Sequence, residues 1–335
     1  MSNYRIAING FGRIGRIFLR RVLEKNDVDV VAVNDLTDVE TLAHLFKYDS
    51  IHRKFSGEVF IEGGDLIING KRIKVFAEKD PANLPWKNMN IDLVLESSGH
   101  FLDTKSAMLH VAAGAKKVLL SAPPKSPEIK TIVLGVNDNM LLKDDIIISN
   151  ASCTTNCAAP MIKVLHEHFT IENAYITTIH SYTSDQRLHD APHKDLRRAR
   201  AAALSMVPTS TGAAQAIAAT FPELMGRIGG TSIRVPVPDG SITDITCTVS
   251  KPATIDSVNA AFKSAADTYL KNILAYTTEP LVSIDIVGDP HSCIFDSELT
   301  AVTGNMIKVM GWYDNEYGYS SRLADLVIKM KELNN

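Results

Sequence analysis

Gly10-Phe11-Gly12-Arg13-Ile14-Gly15 is the stretch that leaves this chain the fewest folds. Tyr4-Arg5-Ile6-Ala7-Ile8 runs into it as a short apolar strand, and Ile14, Ile17, Phe18, Val22 and Leu23 leave it at helical spacing. A second apolar run, Val28 to Val33, ends at Asn34-Asp35, 20 positions beyond Gly15. Three spaced glycines alone say little. Between a strand and a helix, with an acid closing the next strand, they specify a dinucleotide-binding βαβ unit. Gly10, Gly12 and Gly15 let the backbone approach a pyrophosphate at the helix N-terminus, and Asp35 is placed to hold the adenosine ribose hydroxyls. A carboxylate there repels a 2′-phosphate, which favours NAD over NADP.

The strands that follow keep ending in small polar residues. Asp92 to Glu96 leads to Ser97-Ser98-Gly99, Lys117 to Ser121 to Ala122-Pro123, and Thr131 to Gly135 and Ile146 to Ser149 complete the set. That pattern fits a parallel sheet with its ligand at the carboxyl edge, so Gly99 and Ser121 are expected near the cofactor. Three short strands, Glu58 to Ile61, Leu66 to Ile68 and Ile73 to Ala77, turn at Gly63-Gly64 and Asn69-Gly70 and form an excursion on that sheet.

The last of these parallel strands runs into Ser149-Asn150-Ala151-Ser152-Cys153-Thr154-Thr155-Asn156-Cys157, followed by a helical segment from Thr154 to Phe169. A thiol at a helix start meets free N–H groups and the positive end of the helix dipole, which favour a thiolate. A buried structural cysteine remains the commoner use of the residue. Cys153 and Cys157 lack a second pair at ligand spacing, so no metal site is expected, and Cys157 is placed in the core. Pro160, inside the helix, predicts a kink or a late, distorted first turn. Ala174 to Thr183 alternates as a strand with His180 at its end, a candidate base for Cys153, though a structural histidine is equally compatible. A long polar segment, Ser184 to Ala203, suits a functional loop or an interface. Pro208-Thr209-Ser210-Thr211-Gly212 opens a helix at Ala213 and offers hydroxyls and N–H groups to an anion. Arg234 sits in an apolar strand, where a guanidinium needs an anionic partner. Strands are expected at Thr243 to Ser250, Leu281 to Val287 and Met306 to Trp312, with helices at Ile255 to Tyr269 and Ser320 to Leu333.

Together these elements make an α/β protein: a Rossmann-type parallel-sheet domain over residues 1–152, an α+β catalytic domain over 153–316 with a mainly antiparallel sheet, and a C-terminal helix at 317–335. A net charge of −3 gives no reason to expect a nucleic-acid partner, and the basic run Lys194 to Arg200 is broken by acid and lacks aromatic residues. No apolar run has the length of a membrane span, no leader is evident, and four cysteines in 335 residues suit reduced thiols in the cytoplasm.

Across nearly its whole length the chain resembles phosphorylating glyceraldehyde-3-phosphate dehydrogenases. The resemblance is carried by Ile8 to Arg16, Val33-Asn34-Asp35, Lys47-Tyr48-Asp49-Ser50, Ser149 to Cys157, Asp195 to Arg200, Pro208 to Ala214 and Trp312 to Glu316. It implies NAD-dependent oxidation of D-glyceraldehyde 3-phosphate to 1,3-bisphosphoglycerate, in glycolysis or gluconeogenesis, through a hemithioacetal and then a thioester on Cys153. His180 is implied as the base. Thr183 and Arg234 are implied for the substrate's phosphate, Ser152, Thr154, Thr211 and Gly212 for the attacking inorganic phosphate, and Arg198 joins these substrate and phosphate residues. Arg13, Ile14, Asp35, Lys79, Ser121 and Asn315 match cofactor contacts, a homotetramer is implied, the loop from Ser181 meeting a neighbour, and the C-terminal helix at 317–335 is implied to complete the first domain. Lys79 stands where many relatives have Arg, and Gln215 replaces a common Lys. Asp289 to Ser292 is similar to the erythrose-4-phosphate dehydrogenases, the alternative reading, but Thr211-Gly212 and Tyr182-Thr183 favour the triose phosphate.

Overall fold

The computed structural model describes residues 4–25 and 27–334. By its internal contacts the chain separates into two compact units, one of residues 1–132, 139–151 and 320–335, the other of residues 133–138 and 152–319.

The first unit holds a nine-stranded sheet. Its strands are β1 (Arg5–Asn9), β2 (Asp29–Asn34), β3 (Val59–Glu62), β4 (Asp65–Ile68), β5 (Lys71–Phe76), β6 (Leu93–Glu96), β7 (Lys117–Leu120), β8 (Lys130–Thr131) and β9 (Ile147–Ser149). Their order across the sheet is β3-β4-β5-β2-β1-β6-β7-β9-β8. Strands β5 through β8 pair in parallel, while β3, β4 and β5 form the antiparallel excursion at one edge. Helices α1 (Arg13–Lys25), α2 (Val39–Lys47) and α3 (Thr104–Ala112) supply the connections. The strand expected over Thr131 to Gly135 shortens to Lys130–Thr131. Asn137 takes the N–H of Val133 and Asp138 that of Gly135, so those donors are not available to a ladder.

The second unit holds a seven-stranded sheet ordered β11-β12-β10-β13-β16-β15-β14 in the numbering below. The strands are β10 (Ile171–Ser181), β11 (Val207–Thr209), β12 (Ile228–Val235), β13 (Ser241–Val249), β14 (Leu274–Thr277), β15 (Cys293–Thr303) and β16 (Met306–Tyr313). Two neighbouring pairs are parallel and four antiparallel. Against it pack α4 (Cys153–Phe169), α5 (Ala213–Thr220) and α6 (Ile255–Asp267). Gly311 on β16 lets α4 approach closely, since a Cβ there would fall 2.5 Å from Cys293 Sγ and 2.8 Å from Met161 Sδ. Cys157 is fully buried in this layer.

Two further expectations need correction. Leu281 to Val287 forms no strand: Ser283–Ile286 is a 3₁₀ turn, closed by Asp285 accepting the N–H of Val282. Of the two outcomes expected of Pro160, the late first turn is not what α4 shows. It begins at Cys153 and is helical through the buried Pro160 to Phe169, although Pro160 has no N–H for the carbonyl four residues back. The last helix, α7 (Tyr317–Asn334), joins the first unit from residue 320 onward. There Asp325 pairs with Lys25 at the end of α1, and Lys331 Nζ donates to the carbonyl of Asp27 at 2.8 Å.

Candidate functional site

The glycine turn after β1 carries the first half of the site. Gly10 has φ +92°, and a Cβ there would lie 2.4 Å from Ser98 N, so the turn after β1 and the turn after β6 pass in backbone contact. Gly15 lies beneath, where a Cβ would meet the Gly10 carbonyl oxygen at 2.4 Å. Gly12 is open, with nothing within 4 Å of its Cβ position. The result is a cleft of about 420 Å³ at the carboxyl edge of the parallel strands, walled by Gly10, Gly12, Asp35 and Lys79 together with Ser97 and Ser98. Asp35 holds the turn closed: its Oδ2 accepts from the N–H of Phe11 at 2.8 Å and its Oδ1 from that of Thr37 at 3.0 Å. Arg13 is turned to Asp49, whose carboxyl is held below its ordinary range. Burial opposes that shift, and the N–H of His52 and the Arg13 charge outweigh it. Ile14 is half-buried on α1, and Ser121, at the end of β7, donates its N–H to the Glu96 carbonyl at 3.0 Å.

Under the cleft lies a network that the sequence reading missed. Glu96, fully buried, receives four hydrogen bonds. Asn9 Nδ2 reaches its Oε2 at 2.6 Å and His110 Nε2 the same oxygen at 3.1 Å, while Ser98 gives its N–H at 2.8 Å and its hydroxyl at 2.5 Å to Oε1. The indole N–H of Trp86 donates to His110 Nδ1 at 3.2 Å, which fixes the proton of that ring on Nε2, facing Glu96. The legible signal was an acid in the apolar strand Asp92 to Glu96, which must find partners once buried.

Cys153 opens α4 in the second unit. Ser152 caps the helix, its Oγ accepting from Thr155 N at 3.1 Å. The half-buried Cys153 Sγ stands 3.3 Å from His180 Nε2. Strand β10 places the imidazole by alternation: Ala174, Ile176, Thr178 and His180 are buried on one face. The Ser181 carbonyl lies 2.8 Å from His180 Nδ1 and accepts from Arg234 at 3.0 Å. Arg234 Nη1, a donor only, also lies 2.7 Å from Nδ1: with Nδ1–H on the Ser181 carbonyl Nε2 keeps its lone pair for the thiol proton, whereas donation by Arg234 to Nδ1 puts the ring proton on Nε2.

A lone thiol in this place is pushed up to about 11, by burial above all, against the pull of the Arg234 charge and the Thr154 N–H. A lone imidazole is pushed down to about 3, by burial first and by Arg234 second. Burial therefore favours the neutral S–H···N pair. Against it, a thiolate and an imidazolium 3.3 Å apart attract by about 4–5 kcal/mol at an effective dielectric near 20. Arg234 bears on both partners in opposite senses: its charge supports the thiolate and opposes the imidazolium.

The other expected anion-site residues lie in the same unit. Thr154 is buried with its hydroxyl 2.9 Å from Tyr313 Oη. Thr211 accepts from the N–H of Ala213 at 3.2 Å, and exposed Gly212 caps α5. Thr183 is half-buried just beyond β10. Arg198 is held by Asp185 and donates to Thr209 Oγ1 at 2.9 Å, and its charge reaches His180. Asn315 ties β10 to β13, its Oδ1 accepting from Ser181 Oγ and Ser241 Oγ at 2.7 Å each, so its amide NH₂ is the end available to a ligand. Tyr313 and Thr178 escaped notice, although alternation along β16 and β10 puts both on the buried face that carries His180.

Comparison with known proteins adds a family to this geometry. Residues 4–104 match the model for the glyceraldehyde 3-phosphate dehydrogenase NAD binding domain, and residues 152–315 that for the glyceraldehyde 3-phosphate dehydrogenase C-terminal domain. Glyceraldehyde-3-phosphate dehydrogenase 2 of Streptomyces avermitilis is 55% identical over 328 residues, 97% of each chain. The Mycobacterium avium enzyme named glyceraldehyde-3-phosphate dehydrogenase is 55% identical over 330 residues, 96% of this chain and 97% of its own. That of Geobacillus stearothermophilus is 54% identical over 324 residues, 96% of each.

Proposed function

The chain belongs to the glyceraldehyde-3-phosphate dehydrogenase family, and from that premise we propose how its residues divide the reaction. It is an NAD-dependent oxidoreductase that converts D-glyceraldehyde 3-phosphate and inorganic phosphate to 1,3-bisphosphoglycerate in glycolysis; the erythrose-4-phosphate alternative is not favoured. The observation that carries the assignment of roles is the Cys153 sulfur, 3.3 Å from His180 Nε2 at a helix N-terminus, with Arg234 beside both.

The turn at Gly10, Gly12 and Gly15 fits a pyrophosphate: it offers backbone where a side chain would intrude, and Asp35 presents a carboxylate on the cleft wall. Lys79, on the same wall, and Arg13, Ile14, Ser121 and Asn315 complete the proposed cofactor contacts. NAD, when bound, supplies the hydride acceptor. Cys153 attacks the aldehyde carbon as His180 takes the thiol proton at Nε2, and the same imidazole then steadies the hemithioacetal oxygen. Loss of hydride leaves a thioester on Cys153, and phosphate attacks it to release the acyl phosphate and restore the thiol. Thr183 and Arg234 hold the substrate phosphate, and Ser152, Thr154, Thr211 and Gly212 the attacking one, with Arg198 between the strand of Thr209 and the loop of Asp185. A phosphate drawn to Arg234 neutralises a charge that opposes protonation of His180 and also supports the Cys153 thiolate, so its two effects on proton transfer between them oppose each other.

Among the described residues no helix is long and apolar enough to cross a membrane. We place the enzyme in the cytoplasm as a homotetramer, the first unit serving NAD and the second catalysis. Support for assembly comes from the loop after Ser181: Leu188, Leu196, Leu204 and Met206 are 74, 79, 84 and 74% exposed, a set of apolar side chains that another copy would cover. Turnover of Cys153→Ser, with and without phosphate, tests the reading. The variant should lose more than about a thousandfold in NADH formation while binding NAD as before, and the parent should require phosphate or arsenate. Equal rates without either would refute the phosphorolysis step.

A further inference from the structure

Gly230 lies on β12 ahead of Arg234, and alternation puts both on one face of the sheet. The register carries that face onto β10, where Ile176 pairs with Gly230, Thr178 with Ser232 and His180 with Arg234. Helix α5 packs on β12, and the Thr211-Gly212 turn opens that helix. A Cβ on Gly230 would fall 3.2 Å from Ala214 Cβ, 3.2 Å from the Ile176 carbonyl oxygen and 3.6 Å from Thr211 Cγ2. The first two are closer than an ordinary van der Waals contact.

The backbone of Gly230 would accept a side chain, since its φ is not positive; what is missing is room. Ala214 is buried, and the carbonyl belongs to the backbone of β10, so neither can swing aside as the end of a long side chain can. Gly229, next to it, offers the contrast. It faces the other side of the sheet, and a Cβ there would meet the Tyr175 ring at 2.8 Å. Tyr175 is 53% exposed, so its ring has solvent to turn into.

We propose that Gly230 is a positioning residue for the phosphorolysis step. Bearing no side chain, it seats α5 close on β12 and so sets how high the Thr211-Gly212 turn stands above the sheet face that carries His180 and Arg234. This rests on that turn as the place of the attacking phosphate. In the step itself a phosphate oxygen bonds to the thioester carbon, the carbon–sulfur bond breaks, and Cys153 leaves with the electron pair as a thiolate. Hydride transfer comes before it and does not use the turn. A side chain at Gly230 therefore impairs the second half of the reaction and spares the first.

The test separates the two halves on the full chain. The burst of NADH from D-glyceraldehyde 3-phosphate without phosphate reports hydride transfer, and kcat/KM for inorganic phosphate in steady turnover reports phosphorolysis. Gly230→Ala should keep the burst rate within about twofold and lower kcat/KM for phosphate by about three- to tenfold, a scale set by the roughly hundredfold cost of a misplacement of about 1 Å. Gly229→Ala, on the other face, should leave both within about twofold. Adding Ala214→Gly to Gly230→Ala reopens the gap and should restore kcat/KM for phosphate to within about twofold of the parent. Ala214→Val crowds the same contact from the helix side and should act as Gly230→Ala does, which keeps the proposal testable if that variant fails to fold. An unmoved kcat/KM for phosphate in Gly230→Ala, or in Ala214→Val should Gly230→Ala not fold, would overturn it. So would an equal loss in Gly229→Ala, a burst slowed as much as phosphorolysis, or no recovery in the double variant. A Thr211→Ala protein with the parent kcat/KM for phosphate would instead overturn the assignment of the turn.

Discussion

Glu96→Gln offers the sharpest test of the network beneath the cofactor cleft. The substitution preserves shape and converts one acceptor oxygen into an NH₂ group. Four donors now point at Glu96, two at each oxygen. Facing the NH₂ toward Asn9 and His110 cannot be repaired cheaply. Asn9 could flip its amide only by losing the 2.7 Å bond its Oδ1 accepts from Asn34, and His110 could change tautomer only by losing Trp86. Facing it toward Ser98 is milder, because the Ser98 hydroxyl can rotate and accept, leaving the Ser98 N–H as the one orphan. An orphaned donor costs about 1–3 kcal/mol, and two cost about 2–6. The milder arrangement sets the expectation at about 1–3 kcal/mol, a fall of roughly 2–12 °C in melting temperature for a unit of this size. Because Ser98 lines the cleft, KM for NAD should rise as well. Differential scanning calorimetry of the full chain gives the first number and initial rates the second. Glu96→Ala, which orphans all four donors and leaves a cavity, should cost most of the stability of the fold. A Glu96→Gln protein that melts within a degree of the parent and keeps its KM would show that the four hydrogen bonds are not made as described.

Asp35→Ala removes the carboxylate that faces a 2′-phosphate. At about 4 Å, with an effective dielectric between that of water and about 20, the repulsion per unit charge is about 1–4 kcal/mol. The ratio of kcat/KM for NADP to that for NAD should therefore rise by about tenfold or more, at the cost of leaving the N–H groups of Phe11 and Thr37 without their acceptor; an unchanged ratio would remove Asp35 from cofactor choice. Asp49→Asn probes acid stability. The native carboxyl titrates below its ordinary 3.8, so its contribution is complete above that value and is lost as pH falls through the native pKa. Urea midpoints of parent and variant should differ near neutral pH and converge as the pH falls through the native pKa, below 3.8; a gap that widens on acidification would reverse the sign and refute the pairing with Arg13 and the His52 N–H.

What was legible in the sequence was what depends on local order. The glycine turn, the strand before it and the acid after it follow one another within a few dozen residues, and the structure places Gly10, Gly12 and Asp35 on one cleft wall. Alternation alone put His180 at the end of its strand, and the hydroxyl-rich run before Ala213 did open a helix. Strand pairing over long separations was much less visible. Cys293–Thr303 went unnoticed, and Leu281 to Val287 was expected in its place, because an apolar run predicts a strand only if its N–H groups stay available. Asp285 takes the N–H of Val282, much as Asn137 and Asp138 take those of Val133 and Gly135.

The same limit explains why the sequence named Cys153, His180 and Arg234 but passed over Glu96, Thr178 and Tyr313. The first three are chemically unusual for their surroundings: a thiol at a helix start, an imidazole and a guanidinium in apolar strands. The others matter only through partners far away in the chain. Tyr313 is 159 residues from Thr154 and 135 from Thr178, and Glu96 is 87 from Asn9. A residue that works by touching the reacting atom can be guessed from its own chemistry. One that works by fixing another's hydrogen bond is visible only once strand register has brought the two together. Here the register is specific: β13 pairs Ser241 with Tyr313 and Ile242 with Trp312, and β10 pairs Thr178 with Thr243. Slipping β16 by one residue would turn Tyr313 to the opposite face of the sheet, away from Thr154 and Thr178. The register of the second unit's sheet therefore decides which hydroxyl meets Thr154, next in the chain to the thiol.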